Sequence, residues 1–199
     1  MIRYDCFEWL APRMKDEIVV TSLSGQRVEW GHLSHRDADL TLGSMGNALA
    51  VGLGLALALP HRKVFVFESD GSVLLSLFNL PTLANLNPPN LAVFVFDNQK
   101  YSGTRISYPT ATAGRTDLAA VARGAGIDHA VAIRDLEDFK KEAAGAFEQD
   151  GLRFVVCRIE ETVGHRTIVR SNVDLLETKY RFVRYLERTE GKAIFAGRG

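Results

Sequence analysis

Lys63-Val64-Phe65-Val66-Phe67-Glu68-Ser69-Asp70-Gly71-Ser72 and Leu91-Ala92-Val93-Phe94-Val95-Phe96-Asp97-Asn98 are two short apolar runs, each stopped by acidic, amide and small side chains. Continuous β-branched and aromatic runs of this length read as strands buried on both faces, the pattern of a parallel sheet covered by helices. The strands are expected over Lys63–Glu68 and Leu91–Phe96, with three more of similar character at Glu17–Leu23, Ala130–Ile133 and Arg153–Ile159. Helical patterns fill the intervals at Ser44–Leu59, Val73–Asn85, Asp117–Ala125 and Asp135–Gln149, and two more flank the sheet near Ile2–Lys15 and Val173–Arg188. In Asp135–Gln149, Leu136, Phe139, Ala143 and Phe147 share one face and the charged residues the other. Strands alternating with helices predict one α/β domain over residues 1–190, a doubly wound, mainly parallel sheet with helices on both faces and right-handed crossovers. The Gly- and basic-rich end, 191–199, is expected to fray.

Composition narrows the function classes. The chain has 199 residues, 46% hydrophobic and 24% charged, which suits a single globular domain with a sizeable core. Lys+Arg and Asp+Glu balance at 24 each, so no net field favours nucleic acid or an anionic membrane. Cys6 and Cys157 are too few and too far apart for a disulfide framework or a metal knuckle, and are expected to be inert buried thiols. The longest apolar stretch, Ala48–Leu59, is too short to span a bilayer. The amino-terminal residues lack a signal-peptide pattern, so the expected location is the cytoplasm.

In a doubly wound sheet, ligands sit beyond the carboxyl ends of the strands, which turns attention to the residues after Phe67 and after Phe96. Asp70-Gly71-Ser72 taken alone reads as a turn with a helix cap, or as a carboxylate for a hard cation, a close backbone approach and donors for a phosphate. Asn98 shifts the balance. It lies 28 residues later at the end of the next apolar strand, so carboxylate and amide should reach the same sheet edge. A carboxylate, an amide oxygen, a backbone carbonyl and phosphate oxygens form a shell suited to magnesium.

These residues resemble the signature of the thiamine-diphosphate-dependent decarboxylases, Gly-Asp-Gly followed about 25 to 30 residues later by Asn. A second segment, Leu42-Gly43-Ser44-Met45-Gly46 ahead of a small-residue helix, is similar to the Gly-Ser-Met-Gly turn of the same family. Within the family the likeness is nearest to the β subunits of sulfopyruvate decarboxylases and the C-terminal part of phosphonopyruvate decarboxylases. It covers roughly Val19 to Ile159 and, more weakly, Leu176–Tyr185. The resemblance implies that Asp70, Asn98 and the backbone oxygen of Lys100 hold Mg2+ on the diphosphate. It also implies that Gly43 receives the aminopyrimidine through its carbonyl and that Met45 wedges the cofactor into its bent form. Ser44, Gly71, Ser72 and Tyr101 complete the implied cofactor contacts, with Gly25 and Gln26 added at the end of the first strand.

Two positions depart from the family pattern. Ser69 replaces the first glycine of Gly-Asp-Gly and could crowd the turn, and Lys100 stands where many relatives carry a smaller residue. Gly52-x-Gly54 sits inside a helical run and is better explained by helix packing than by a dinucleotide loop. His32 and His35 lack a third ligand nearby and read as loop residues at the surface or at the rim of the site.

The resemblance further implies half of an active site. The activating glutamate of the family comes from a pyrimidine-binding domain, for which this chain has no room. The expected protein is a decarboxylase β subunit, active only with an α subunit that carries that domain. Its substrate would be a small anionic 2-oxo acid, sulfopyruvate first and phosphonopyruvate second. His32, His35 or Arg105 are candidates to meet the anionic tail, and self-association is expected. Another split carboligase or decarboxylase subunit, a non-catalytic cofactor-binding module and a phosphate-binding response module are the alternatives.

Overall fold

The computed structural model describes residues 1–23, 25–102, 107–160 and 174–195. In chain order the elements are α1 (Arg3–Leu10), β1 (Ile18–Thr21), α2 (Gly25–Leu33), β2 (Asp39–Thr41), α3 (Ala48–Ala58), β3 (Val64–Ser69), α4 (Asp70–Leu74) and α5 (Asn79–Leu86). They continue as β4 (Leu91–Asp97), β5 (Lys100–Ser102), β6 (Ser107–Pro109), α6 (Leu118–Gly124), β7 (Ala130–Ile133), α7 (Leu136–Glu148), β8 (Arg153–Arg158) and α8 (Leu175–Glu190). Six strands form a parallel sheet in the order β2-β1-β3-β4-β8-β7, and β5 and β6 pair as a separate antiparallel hairpin. This is the expected doubly wound α/β architecture.

The Val-Phe alternation of the two central strands sorts the core into two unlike halves. Val64, Val66, Val93 and Val95 face an aliphatic cluster under α3, α6 and α8. Phe65, Phe67, Phe94 and Phe96 face an aromatic cluster with Phe7, Trp30 and Phe139. Phe7 sits 4.9 Å from both the Phe67 and the Phe96 rings, an arrangement that adds quadrupole attraction to burial. On the aliphatic side Gly52 lets α3 press onto β3: a Cβ there would lie 2.2 Å from Val66 Cγ2. The Gly52-x-Gly54 pair is therefore a packing feature.

The structure also departs from the expected element list. The helix expected over Val73–Asn85 is two helices, because Pro81 lacks the N–H and crowds the carbonyl of Leu77, so α5 cannot continue upstream. Between them Leu75 and Phe78 are 60% and 74% exposed. Pro12 similarly converts the end of the first helix into a 3-10 turn over Ala11–Arg13. β2, α2 and the β5–β6 hairpin were not expected; β2 and the hairpin strands have three residues each, and α2 has little apolar periodicity. At the far end, the Ile194 and Phe195 amides each donate to Glu187 Oε1 at 2.8 Å, tying 191–195 back onto α8.

Candidate functional site

The strand order reverses direction between β1 and β3, the first running to β2 and the second to β4, which opens a crevice at their carboxyl ends. Ser69 and Phe96 are in register, so Asp70 leaves the sheet beside Asp97. Ser69 does not crowd the turn. It is the N-cap of α4, and its Oγ accepts from the Ser72 N–H at 3.3 Å.

Asp70 is fully buried. Its Oδ2 accepts from the Thr110 hydroxyl at 2.6 Å and the Thr112 hydroxyl at 3.2 Å, while among the described residues no donor meets its buried Oδ1 in hydrogen-bonding geometry. Thr112 also donates toward Asp97 Oδ1 at 2.7 Å, and the other oxygen of Asp97 pairs with Arg158 at 3.1 Å. One hydroxyl proton cannot serve both carboxylates at full strength; Asp97 Oδ1 also accepts from the Gln99 N–H at 3.0 Å, which leaves Asp70 as the acid short of donors. Burial raises the Asp70 pKa, the Asp97 charge adds to the rise, and the two threonines oppose it. A divalent cation at Oδ1 would relieve both the missing partner and the repulsion, so the donor set fits a metal.

Beyond β4 the chain turns tightly through Gln99 (φ 64°), and Asn98 Oδ1 accepts from the Lys100 N–H at 3.2 Å. Asn98 and Lys100 thus share the turn next to Asp70. Tyr101 follows in β5, and its ring occupies the space over Gly71: a Cβ at that glycine would lie 2.4 Å from Tyr101 Cε1. Gly71 was expected to admit a ligand to the backbone. What it admits in this structure is a side chain of the same protein.

The segment before α3 closes onto the same edge. Gly46 (φ 80°) donates its N–H to Ser72 Oγ at 2.7 Å, so the Ser72 hydroxyl oxygen, expected to face a phosphate, is engaged by this turn. Ser44 Oγ accepts from Asn47 Nδ2 at 2.8 Å, and Leu175 of α8 packs over Gly43. Met45 is half-buried and belongs to neither apolar cluster. Gly25 and Gln26 open α2, so they lie beyond the strand end where they were expected. Gln26 is fully buried, its Nε2 donates to Ser22 Oγ at 2.7 Å, and its Oε1 has no partner among the described residues. Gly25 abuts the Arg3 guanidinium, held by Glu29 in two 2.8 Å hydrogen bonds.

His32 and His35 are not at the rim. The β1–α2–β2 crossover carries the chain back to the amino edge, leaving His32 in the last turn of α2 and His35 just before β2, both exposed. Arg105 lies outside the described residues.

The model of the thiamine pyrophosphate enzyme C-terminal TPP-binding domain matches residues 29–157, which include β2, α3, Asp70 and the Asn98 turn. The chain belongs to the thiamine pyrophosphate enzymes. Thiamine pyrophosphate and thiamine diphosphate are the same compound. The sulfopyruvate decarboxylase β subunit of Methanocaldococcus jannaschii is 32% identical over 176 residues, 87% of this chain and 90% of that protein. The β subunit from Methanothermobacter thermautotrophicus is also 32% identical, over 92% of this chain and 94% of its own length. Phosphonopyruvate decarboxylase of Streptomyces viridochromogenes is 36% identical over 71% of this chain, which spans only 35% of that protein. Among solved structures, the thiamine diphosphate-dependent 4-hydroxybenzoylformate decarboxylase of Rhodococcus jostii superposes with a TM-score of 0.65 at 20% identity. That match covers 80% of this chain and 33% of the other, and supports the fold alone.

In this thiamine pyrophosphate enzyme domain, sequence reasoning passed over several residues that build the edge. Thr110 and Thr112 carried no signal, since they arrive from an irregular segment about forty positions after Asp70. Asp97 was visible only as a strand terminus. Glu68 had a signal, a lone acid in an apolar strand. It is fully buried, and no donor meets either oxygen in hydrogen-bonding geometry among the described residues. Burial pushes its pKa up, and the Ser72 and Ser22 hydroxyls and the Ser69 and Ala48 amides lie near enough to oppose the rise. Cys6 and Cys157 are buried, with the Cys6 thiol pushed up to about 12 by desolvation, so neither is a thiolate at neutral pH. Among the described residues no helix is long and apolar enough to cross a membrane.

Proposed function

We propose that this chain is the cofactor-binding β subunit of a two-part, thiamine-diphosphate-dependent 2-oxo acid decarboxylase, located in the cytoplasm, which converts sulfopyruvate to sulfoacetaldehyde and carbon dioxide. The observation that carries the reading is the buried Asp70 carboxylate at the sheet edge, one oxygen held by two threonines and the other without a partner among the described residues. Near full-length likeness to sulfopyruvate decarboxylase β subunits supports the substrate. Phosphonopyruvate ranks second, because the chain spans only about a third of that relative.

In this reading Asp70 Oδ1, the Asn98 amide oxygen and the Lys100 carbonyl would hold Mg2+ against the diphosphate. Asn98 would exchange its Lys100 N–H contact for the metal. The Gly43 carbonyl and the Met45 side chain would hold and bend the organic part of the cofactor, a role consistent with a half-buried methionine outside both core clusters. Gln26 Oε1, buried and without a partner among the described residues, would meet a ligand at the β1 end of the crevice. When bound, the cofactor supplies the electron sink that lets a 2-oxo acid lose carbon dioxide. The exposed Leu75 and Phe78, immediately after the α4 turn, offer an apolar surface to the α subunit and to a second copy of the chain.

Calorimetry with thiamine diphosphate should show binding that requires Mg2+ and disappears in excess chelator. The chain alone should not turn over sulfopyruvate, and a pyrimidine-domain α subunit should restore carbon dioxide release. Steady decarboxylation by the lone chain would overturn the two-part reading. Cofactor binding in the complete complex with no turnover of either acid would leave a non-catalytic module.

A further inference from the structure

The carboxyl ends of β4, β8 and β7, with the segment that leads into α6, enclose a cavity of about 230 Å³ that the proposed chemistry leaves unused. In the strand order it lies beyond the Asp70 and Asn98 edge, on the side away from β1 and β2, so the Asp70 turn separates it from the Gly43–Gly46 turn. Three arginines line it: Arg115 ahead of α6, Arg134 just after β7 and Arg158 at the end of β8. Arg158 is already oriented, because its Nη1 pairs with the buried Asp97 at 3.1 Å and meets the Thr112 carbonyl at 3.5 Å. Its Nε and Nη2 donors have no partner among the described residues, and neither do the side chains of Arg115 and Arg134. Two acids share the lining, and both are engaged. Asp97 Oδ1 accepts from the Thr112 hydroxyl and the Gln99 N–H, and Asp117 Oδ1 accepts from the Ala119 and Ala120 N–H groups at 2.9 and 3.0 Å. Three guanidinium charges against two carboxylates leave the cavity cationic. Its remaining wall is apolar, with Leu118, Ile133 and Val156 buried.

We propose that this cavity binds a short aliphatic anion, its oxyanion head on the three arginines and its carbon chain against Leu118, Ile133 and Val156. The fork of a guanidinium matches the paired oxygens of a sulfonate, phosphonate or carboxylate. Arg158 loses little freedom on binding, because Asp97 already holds it. Volume sets the size: drug-sized ligands take about 300–1,000 Å³, so a cavity of about 230 Å³ suits a head and a few carbons. An inorganic ion would use the arginines and leave the apolar wall without a partner. The site stands independently of the decarboxylase reading, since none of its residues is a proposed cofactor contact. In a decarboxylase of anionic 2-oxo acids it would be a second place for an organic anion, away from the organic end of the cofactor.

Titration of the full chain with propanesulfonate at fixed ionic strength, followed by NMR, tests the site. The amides of Arg115, Thr116, Leu118, Ala132 and Arg134 should shift saturably in the millimolar range, while those of Gly46 and Gly71 stay in place. Propanesulfonate should bind about fourfold tighter than ethanesulfonate, the effect of one buried methylene, and tighter than sulfate. Methyl propyl sulfone, of the same shape without the charge, should not bind. Replacing both exposed arginines, Arg115→Ala together with Arg134→Ala, should weaken propanesulfonate by about tenfold and leave the melting temperature unchanged. Arg158 stays intact in this variant because it also holds Asp97. Unchanged affinity in the double variant, or binding of the sulfone, would overturn the assignment. Equal affinity for sulfate would overturn the organic class of the ligand. Saturable shifts at Gly46 and Gly71 in place of the cavity amides would put the anion in the cofactor crevice, and displacement by thiamine diphosphate with Mg2+ would do the same; either overturns the separate site. A chain that binds propanesulfonate at the cavity but no cofactor would break the cofactor reading and keep this one.

Discussion

The two ends of α3 are finished in opposite ways. At the carboxyl end the buried Asn90 sends its Nδ2 to the carbonyls of Ala56, Leu59 and Arg62, at 3.0, 3.1 and 2.7 Å. One distant side chain thereby closes a helix end that would otherwise leave carbonyls unpaired. At the amino end Asn47 makes no side-chain cap, the preceding turn is held by the Gly46 N–H on Ser72 Oγ and the Leu23 N–H on the Ser44 carbonyl, and Glu68 has no donor in good geometry among the described residues. The carbonyls at the carboxyl end are thus met by one side chain, whose own Oδ1 is buried without a partner among the described residues, whereas the amino end, beside the crevice, has no side-chain cap. A buried polar atom left unpaired calls for an accounting, by an ordered water as well as by a ligand or a metal.

That contrast predicts which substitutions harm binding and which harm the fold. The largest effect should come from Asp70→Ala, which removes the proposed metal's protein charge and should abolish magnesium-dependent thiamine diphosphate binding in calorimetry. Unchanged affinity would place the metal elsewhere. At the carboxyl end of α3, Asn90→Ala should destabilise the chain by about 2–3 kcal/mol in urea unfolding, because it leaves buried carbonyls unpaired. Cofactor affinity per folded molecule should stay the same, and a parallel loss of affinity would erase the distinction between the two ends. Gly71→Ala should cost about 1–3 kcal/mol by forcing the Tyr101 ring aside. Trimming the ring with Tyr101→Ala in the same chain should recover part of that loss, as thermal melts would show. Met45→Ala should change stability least, by under about 0.5 kcal/mol, since the side chain lies outside both clusters. In the complex with the α subunit it should lower turnover more than cofactor affinity. A drop in melting temperature with normal turnover would return Met45 to the core.

The strands were legible because burial on both faces demands unbroken apolar runs, and Val64–Phe67 and Leu91–Phe96 are such runs. The Asp70 and Asn98 pairing was legible for a related reason: parallel neighbours in register deliver their carboxyl ends to one edge. The amphipathic α7 was equally plain. By contrast β2 and α2 escaped notice because their short, mixed sequences owe their conformation to neighbours, β2 pairing on β1 and α2 bringing Trp30 into the aromatic cluster.

The sequence by itself determined the sheet, the two-sided core and the acid and amide at adjacent strand ends, since each follows from local pattern and strand parity. Only the tertiary structure decided who satisfies them. Thr110 and Thr112 reach Asp70 from a distant irregular segment, Tyr101 takes the space over Gly71, Ser72 ties down Gly46, and the crossover through α2 removes His32 and His35 from the site. Those contacts depend on where the chain returns in space. Local pattern governs conformation over a few residues, whereas the pairing of a buried polar atom is settled by whichever segment the packing brings within reach.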